Sequence, residues 1–231
     1  MEDKKKLAGK IMVTGAGGSI GGEICRQLIN TNPARLILLD HSEYGLYQIE
    51  GDISSKIKKL RLKTELITTF ANVCDERVLS ETLIKHSVET VFHAAAYKHV
   101  PLVEANVHAS LKNNVLGTRS VIQASIAAGV SSLTMISTDK AVRPTNVMGA
   151  SKRFAELICQ VYAKAQTITS ISMVRFGNVL DSSGSVIPLF RRQILNGGPL
   201  TVTHPEMTRY FMTIPEAAQL VIQSSAMATD G

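Results

Sequence analysis

Short apolar runs alternate with longer amphipathic stretches from one end of the chain to the other. The runs are Lys10 to Val13, Leu36 to Leu39, Glu65 to Phe70, Thr90 to His93, Ser132 to Ser137 and Ser170 to Phe176. Such runs suit strands covered on both faces. Between them, helical periodicity starts near Ser19, Tyr44, Glu76, Leu102 and Met148, each stretch long enough for a right-handed crossover between parallel strands. The pattern predicts an α/β fold with a doubly wound parallel sheet of Rossmann type. After Gly177 the texture changes: "DSSGSVIPLFRRQILNGGPLTVTHPEMTRYF" is richer in Gly, Pro and Ser, with a short helix at Pro188 to Leu195. A last helix, "IPEAAQLVIQSSAMA", has Pro215 near its first turn and is expected to end at Gly231. The expected organisation is a Rossmann domain over 1–177 and, over 178–231, the beginning of a smaller C-terminal substrate lobe.

Composition narrows the class. The chain has 231 residues, 45% of them apolar, which is ample for a buried core. Its 25 Lys and Arg against 19 Asp and Glu leave +6, a mild cationic bias that suits an anionic small molecule. Only 5% of residues are aromatic, without the arginine-aromatic interleaving of the kind that stacks bases, so nucleic-acid binding is not expected. Cys25, Cys74 and Cys159 are odd in number and widely spaced, which excludes a full disulfide framework and lacks zinc spacing. The histidines, among them His93, His99, His108 and His204, show no metal-ligand spacing either. No apolar run approaches the ~18 residues of a membrane span, and no signal sequence is visible at the N-terminus. These features lead to the expectation of a soluble, cytoplasmic chain without a metal.

The first strand runs straight into chemistry. "KIMVTGAGGSIGGEICRQLI" is a strand, a glycine-rich turn and an amphipathic helix, with Gly15, Gly18 and Gly21 in a G-x-x-G-x-x-G spacing. Residues without a Cβ let backbone N–H groups reach a pyrophosphate, whose charge then rests on the positive end of the helix that begins with Ser19 and Ile20. Asp40 ends the second strand 19 residues beyond Gly21. An acid there accepts hydrogen bonds from the adenosine ribose and repels a 2′-phosphate, which favours NAD over NADP. Asn72 and Val73, in "FANVCD", are candidates to flank the adenine, and Ala94 and Ala95 are small enough to let a cofactor lie close.

Jointly, "VTGAGGSIGGEICRQ", "FHAAAYKHVPLVEAN", "NNVLGT", "STDKAVRPTNVMGASKR", "RFGNVLDSSGSVIPLF" and "MTRYFMTIPEAAQL" resemble the extended short-chain dehydrogenase/reductase superfamily. The closer match is to its CapD-like polysaccharide biosynthesis proteins, the UDP-N-acetylglucosamine 4,6-dehydratases. The resemblance implies a tightly held nicotinamide cofactor, a UDP-sugar substrate, a homo-oligomer and, for full-length relatives, a membrane anchor at the inner face. It also implies a C5-retaining enzyme, because Met148 stands where the C5-inverting form has tyrosine.

The implied reaction can be set against the residues. Lys152 follows Met148 by four positions, so both share one helix face. In the superfamily such a lysine holds the nicotinamide ribose. A thioether moves no proton, so Met148 is not the base for the sugar 4-hydroxyl; Thr138 is expected to orient that hydroxyl while a water relays its proton. Asp139 is the candidate acid for the departing 6-hydroxyl and Lys140 the base for the C5 proton. These roles call for an Asp139 carboxyl raised, and a Lys140 amine lowered, from their ordinary pKa values. Lys98 and Asn178 are candidates to contact substrate, Asn114 to brace the site, and Arg209 and Arg191 to grip the diphosphate. The rival readings are a UDP-sugar C4 epimerase, which leans on the absent phenol, and a non-catalytic NAD-binding Rossmann protein, which has no use for "STDK".

Overall fold

The computed structural model describes residues 7–182, 186–202, 204, 206 and 208–228. Six strands form one sheet in which every neighbouring pair is parallel: β1 (Lys10–Thr14), β2 (Arg35–Asp40), β3 (Glu65–Phe70), β4 (Thr90–His93), β5 (Ser132–Thr138) and β6 (Ser170–Phe176). Their order is 3-2-1-4-5-6. The chain builds outward from β1 in one direction, then returns and builds in the other, which opens a crevice beyond the carboxyl ends of β1 and β4. The helices are α1 (Ser19–Leu28), α2 (Glu43–Leu60), α3 (Glu76–Lys85), α4 (Val100–Ala105), α5 (Val107–Leu111), α6 (Gly117–Ala127) and α7 (Val147–Ala165).

The strand residues explain why both faces are covered. Ile11, Val13, Leu36, Leu38 and Phe92 point to the side of α1 and α2, where they meet Ile24, Leu28, Ile49 and Ile53. Met12, Ile37, Leu39, Val91, Leu133 and Met135 point to the other side, against Leu79 and Leu83 of α3, Val121 and Ile122 of α6, and Ala155 and Cys159 of α7. The period of two sends successive residues to opposite faces. Each large apolar side chain withdrawn from water contributes roughly 1.5–3 kcal/mol.

The helix expected from Leu102 onward is interrupted in two places. Asn106 leaves helical geometry at φ −134 and ψ 54, separating α4 from α5. A π-helical turn at Lys112–Leu116 then joins α5 to α6. Its extra residue per turn rotates Asn113, Asn114 and Val115 to the inside, where they are buried. Hydrophobic periodicity does not register a wider turn of this kind.

Beyond β6 the chain adds a small two-stranded parallel sheet, β7 (Asn178–Val179) with β8 (Phe211–Met212), and α8 (Val186–Leu195). The last helix, α9 (Ile214–Met227), begins with a Thr213–Glu216 capping box. The expected end at Gly231 lies outside the described residues. Unlike the expected second lobe, α9 returns to the first core: Ala218, Val221 and Ile222 join the cluster around Ile24 and Phe92. Gln27 Nε2 of α1 also donates to the Pro215 carbonyl at 2.9 Å. Among the described residues, no helix is long and apolar enough to cross a membrane.

Because Val221 is fully buried in that shared core, Val221→Ala is expected to lower the stability of the whole chain by about 2 kcal/mol. Urea denaturation should show one transition moved as a unit. A separate transition carrying all of the change would mean that the C-terminal segment folds by itself.

Candidate active site

The glycine turn between β1 and α1 is built by close backbone contacts. Gly15 has a positive φ of +69, and a Cβ on it would lie 2.6 Å from the Ala95 nitrogen. At Gly21 a Cβ would lie 2.0 Å from the Gly15 carbonyl oxygen, so only glycine lets α1 start this near the turn. Gly18 N–H donates to the Gly15 carbonyl at 3.0 Å, and no side chain caps α1. No acidic residue occupies its first turn, which leaves the helix's positive end suited to a bound anion.

Asp40 is not the solvated strand-end acid that a bland reading of its position would give. It is buried; Oδ2 accepts from Gly17 N–H at 2.9 Å and Oδ1 from Ser42 N–H at 2.8 Å. The carboxylate therefore shapes the turn while keeping spare acceptor capacity for hydroxyls. These contacts fit a dinucleotide: a cradle that a Cβ would fill, a free helix end, and an acid at the second strand's tip. Asn72 spends its Oδ1 on Cys74 N–H at 2.8 Å, and Val73 is buried under Gly117. Ala94 and Ala95 abut Gly15.

A cleft of about 440 Å³ opens at the carboxyl ends of β4 and β5. It brings together Ile20, Ala94, Lys98, Thr138, Lys140, Met148, Lys152, Asn178 and Arg209 from the residues expected at the site. Tyr97, Phe176, Ile187 and Phe211 also line it; each lies in a segment that carries the family resemblance, but none is singled out there as a site residue. Arg191 does not belong to it. Its guanidinium is held by Asp181, with Nη1 at 2.9 Å from Oδ1, on the exposed side of α8.

Helix α7 delivers Met148 and Lys152. Asn146 caps it by accepting from Gly149 N–H at 2.8 Å. Gly149 lets the first turn rest on β5's continuation, since a Cβ there would lie 2.3 Å from the Lys140 carbonyl oxygen. Both Met148 and Lys152 are buried. Burial, opposed by nearby Cys159 and Glu156, brings Lys152 down to about 8, so it stays mostly charged at neutral pH. Burial also lowers Lys98.

Asp139 departs from expectation. Burial pushes its carboxyl up, but hydrogen bonds from Lys140 and Thr138 outweigh that and hold it below the ordinary value. Lys140 Nζ lies 3.0 Å from Asp139 Oδ1, and Thr138 Oγ1 donates to the same oxygen at 3.0 Å. Lys140 Nζ also donates to Asn178 Oδ1 at 2.9 Å. The expectation of a raised carboxyl overlooked that the neighbouring cation folds back onto it.

Two buried polar networks support the cleft. In the first, Asn114 accepts from Tyr97 N–H at 2.8 Å, donates to Tyr97 C=O at 2.9 Å and donates to Ser151 Oγ at 3.0 Å. Ser151 in turn donates to the Met148 carbonyl at 2.7 Å. Thr118 donates to Asn114 C=O at 2.7 Å, so it accepts from His93 Nε2 at 3.0 Å, which leaves His93 Nδ1 to accept from Thr14 at 2.7 Å. Burial, with Lys152 nearby, lowers His93 to about 3 and keeps it neutral.

The second network was missed from sequence. Glu156 is fully buried and accepts from Ser137 at 2.6 Å, from Arg175 at 2.7 and 2.6 Å and from Arg153 at 3.0 Å. Burial opposes its ionisation, yet these donors, Arg175 foremost, hold the carboxyl at about 2. The signal was present: Glu156 follows Lys152 by four positions on one helix face.

A 3-2-1-4-5-6 parallel sheet with a glycine turn at its switch point and a Lys-bearing helix beside the cleft defines an extended short-chain dehydrogenase/reductase. The chain belongs to the CapD-like polysaccharide biosynthesis proteins: residues 11–231 match the family described as polysaccharide biosynthesis protein. It is 52% identical over 221 residues to the capsular polysaccharide biosynthesis protein CapD of Staphylococcus aureus, covering 96% of this chain and 36% of that protein. It is 35% identical to a UDP-glucose 4-epimerase of Rickettsia canadensis, covering 92% of this chain and 61% of the epimerase. The chain thus spans little more than a third of CapD. Among solved structures, Pen from Bacillus thuringiensis superposes with a TM-score of 0.88 at 31% identity, covering 96% of this chain and 68% of Pen. The dTDP-glucose 4,6-dehydratase DesIV of Streptomyces venezuelae, solved with NAD and TYD bound, gives 0.85 at 23% identity, covering 96% and 73%.

Removing the Glu156 charge leaves two arginines facing a buried neutral group. Glu156→Gln is expected to cost about 3–5 kcal/mol at pH 7. Because the folded-state carboxyl sits near 2 against an ordinary 4.5, the charge contributes fully above about pH 4.5 and its contribution is lost as pH falls towards 2. Denaturation of both proteins across that range should show their stability gap closing, and a gap constant with pH would refute this account.

Proposed function

We propose that the protein carries the NAD-dependent 4,6-dehydration of UDP-N-acetylglucosamine to a UDP-4-keto-6-deoxy-N-acetylhexosamine, a step in making surface polysaccharide or glycoprotein sugars. The observation that carries this reading is the contact between Asp139 and Lys140 beside the cleft that Met148 lines. An acid and a base placed together serve the removal of water, whereas a simple oxidation or epimerisation at C4 needs one proton carrier. Gly15, Gly18, Ser19, Ile20, Gly21 and Asp40 are the groups to hold NAD, and Lys152 its nicotinamide ribose. When bound, NAD supplies the acceptor for hydride from C4 and the donor that returns it to C6.

The chain's own groups then divide the proton movements. Thr138 orients the 4-hydroxyl. Lys140 takes the C5 proton, and Asp139 gives a proton to the departing 6-hydroxyl, so that one water leaves and the C5–C6 bond becomes double; Lys140 then returns its proton to C5 as hydride reaches C6, and the proton lost from O4 restores the pair by way of water. Ammonium with carboxylate and amine with carboxylic acid hold the same number of protons. A sugar that displaces water from around the pair favours the uncharged arrangement, because burying ions is costlier than burying their neutral forms. The lowered carboxyl of Asp139 is therefore compatible with acid catalysis: the proton that Lys140 gives up passes through water to Asp139 Oδ2, while Oδ1 keeps accepting from the amine. Lys98 and Arg209, which line the cleft, are the cations to meet the diphosphate.

The likeness to a UDP-glucose 4-epimerase favours a second reading, epimerisation at C4. That reaction has no role for both members of the pair. Incubation with UDP-N-acetylglucosamine and NAD, followed by mass spectrometry, separates the two. Dehydration gives a product lighter by about 18 mass units, whereas epimerisation leaves the mass unchanged. Asp139→Asn and Lys140→Ala should each slow water loss at least ~100-fold, the lower end of the general acid–base range. Wild-type turnover in either variant would remove that residue from the mechanism.

A further inference from the structure

We infer that Asn178 is a positioning residue for Lys140, aiming the amine's proton-accepting side at the substrate. This rests on the assignment of Lys140 as the base. The expectation for Asn178 was contact with a sugar or diphosphate oxygen. Instead its Oδ1 accepts from Lys140 Nζ at 2.9 Å, and Asp139 Oδ1 takes a second contact at 3.0 Å.

The consequence lies in the tetrahedral geometry of nitrogen. A neutral amine has two N–H bonds and one lone pair. A carboxamide oxygen can only accept, so it takes an N–H in every protonation state. Asp139 Oδ1 accepts likewise, whether the carboxyl is ionised or carries its proton on Oδ2. With both N–H bonds spoken for, the lone pair is left to the third direction, the cleft that Lys140 lines. Without Asn178 only the Asp139 contact restrains the Cε–Nζ bond, and the second N–H can take the lone pair's place.

The fold holds Asn178 firmly enough for this task. Its N–H donates to Tyr210 C=O at 3.2 Å, and β7 pairs it with Phe211. Gly177 eases the approach: a Cβ there would lie a tight 3.2 Å from the Tyr210 oxygen, and in ordinary contact at 3.7 Å with Asp139 Oδ2. The segment that carries Arg209 and Phe211 into the cleft is thus tied, through Asn178, to the amine. Asp139 touches Lys140 without lining the cleft; the ionisable groups that line it with Lys140 are Lys98 and His99 from the β4–α4 segment, Lys152 on α7 and Arg209 ahead of β8.

Two substitutions test the inference. Asn178→Asp keeps the shape but adds a carboxylate that favours the ammonium; Asn178→Ala removes the acceptor. Lys140 reactivity is read without catalysis, by brief acetylation with acetic anhydride at pH 8 and peptide mass spectrometry, with exposed lysines as the internal reference. Asn178→Asp should slow Lys140 acetylation about tenfold. In turnover of UDP-N-acetylglucosamine, Asn178→Ala should lower kcat about 100-fold, the scale of a misaligned catalytic group, with KM changed less than threefold. In Asn178→Asp the acid limb of the kcat profile should move to higher pH. Equal Lys140 acetylation in wild type and Asn178→Asp would overturn the inference, as would a rise in KM alone in Asn178→Ala, which would return Asn178 to substrate binding. If the wild type sheds no water yet Lys140 acetylation depends on residue 178, the contact stands and the dehydratase reading falls.

Discussion

The Glu156 carboxylate gathers donors from three elements that the sheet alone would not lock together. Ser137 comes from β5, Arg175 from β6 and Arg153 from α7 itself. Buried and ionised, it is worth its desolvation only while all of these donors stay in place. Ser137 is one residue before Thr138, and Glu156 is one helical turn past Lys152, so the strand end and the helix that face the cleft are referenced to the same charge. Thr138 and Lys140 on one side of the cavity, and Met148 and Lys152 on the other, are thereby tied to one joint.

The parallel sheet and the cofactor turn were legible in the residues because both follow from local constraints. Period-two burial on both faces leaves an uninterrupted apolar run, as in "LILL", and a helix starting against its own preceding turn can tolerate only glycine at Gly21. The helix after β4 was not legible in the same way. A π-helical turn changes the angle between successive residues only once, and hydrophobic periodicity averages over several turns. Asn114 was marked as a brace, but that it reaches inward from a widened turn is visible only in three dimensions.

Electrostatics and long-range return were the other blind spots. Asp139 was expected to be raised by desolvation, as an isolated carboxyl at a strand end would be; the adjacent Lys140 bends back and reverses the sign. Arg191 has the right charge for a diphosphate, yet Asp181 claims it. The change of texture after Gly177 is real, but α9 closes over the side of the sheet that α1 also covers. Glycine- and proline-rich sequence reports a change in local regularity, and says little about where the chain goes afterwards.

The clamp of Asn114 on Tyr97 has a further implication. The carboxamide engages the peptide N–H and C=O of residue 97, much as one nucleobase edge reads another, and makes no use of the phenol ring. What these two bonds specify is the backbone conformation at residue 97, through the peptide groups on either side of it, and not the identity of its side chain. Position 97 can therefore drift chemically while the wall it belongs to keeps its shape. Because that position also lines the cleft, it is a place where the cleft's choice of ligand can be retuned without disturbing the frame.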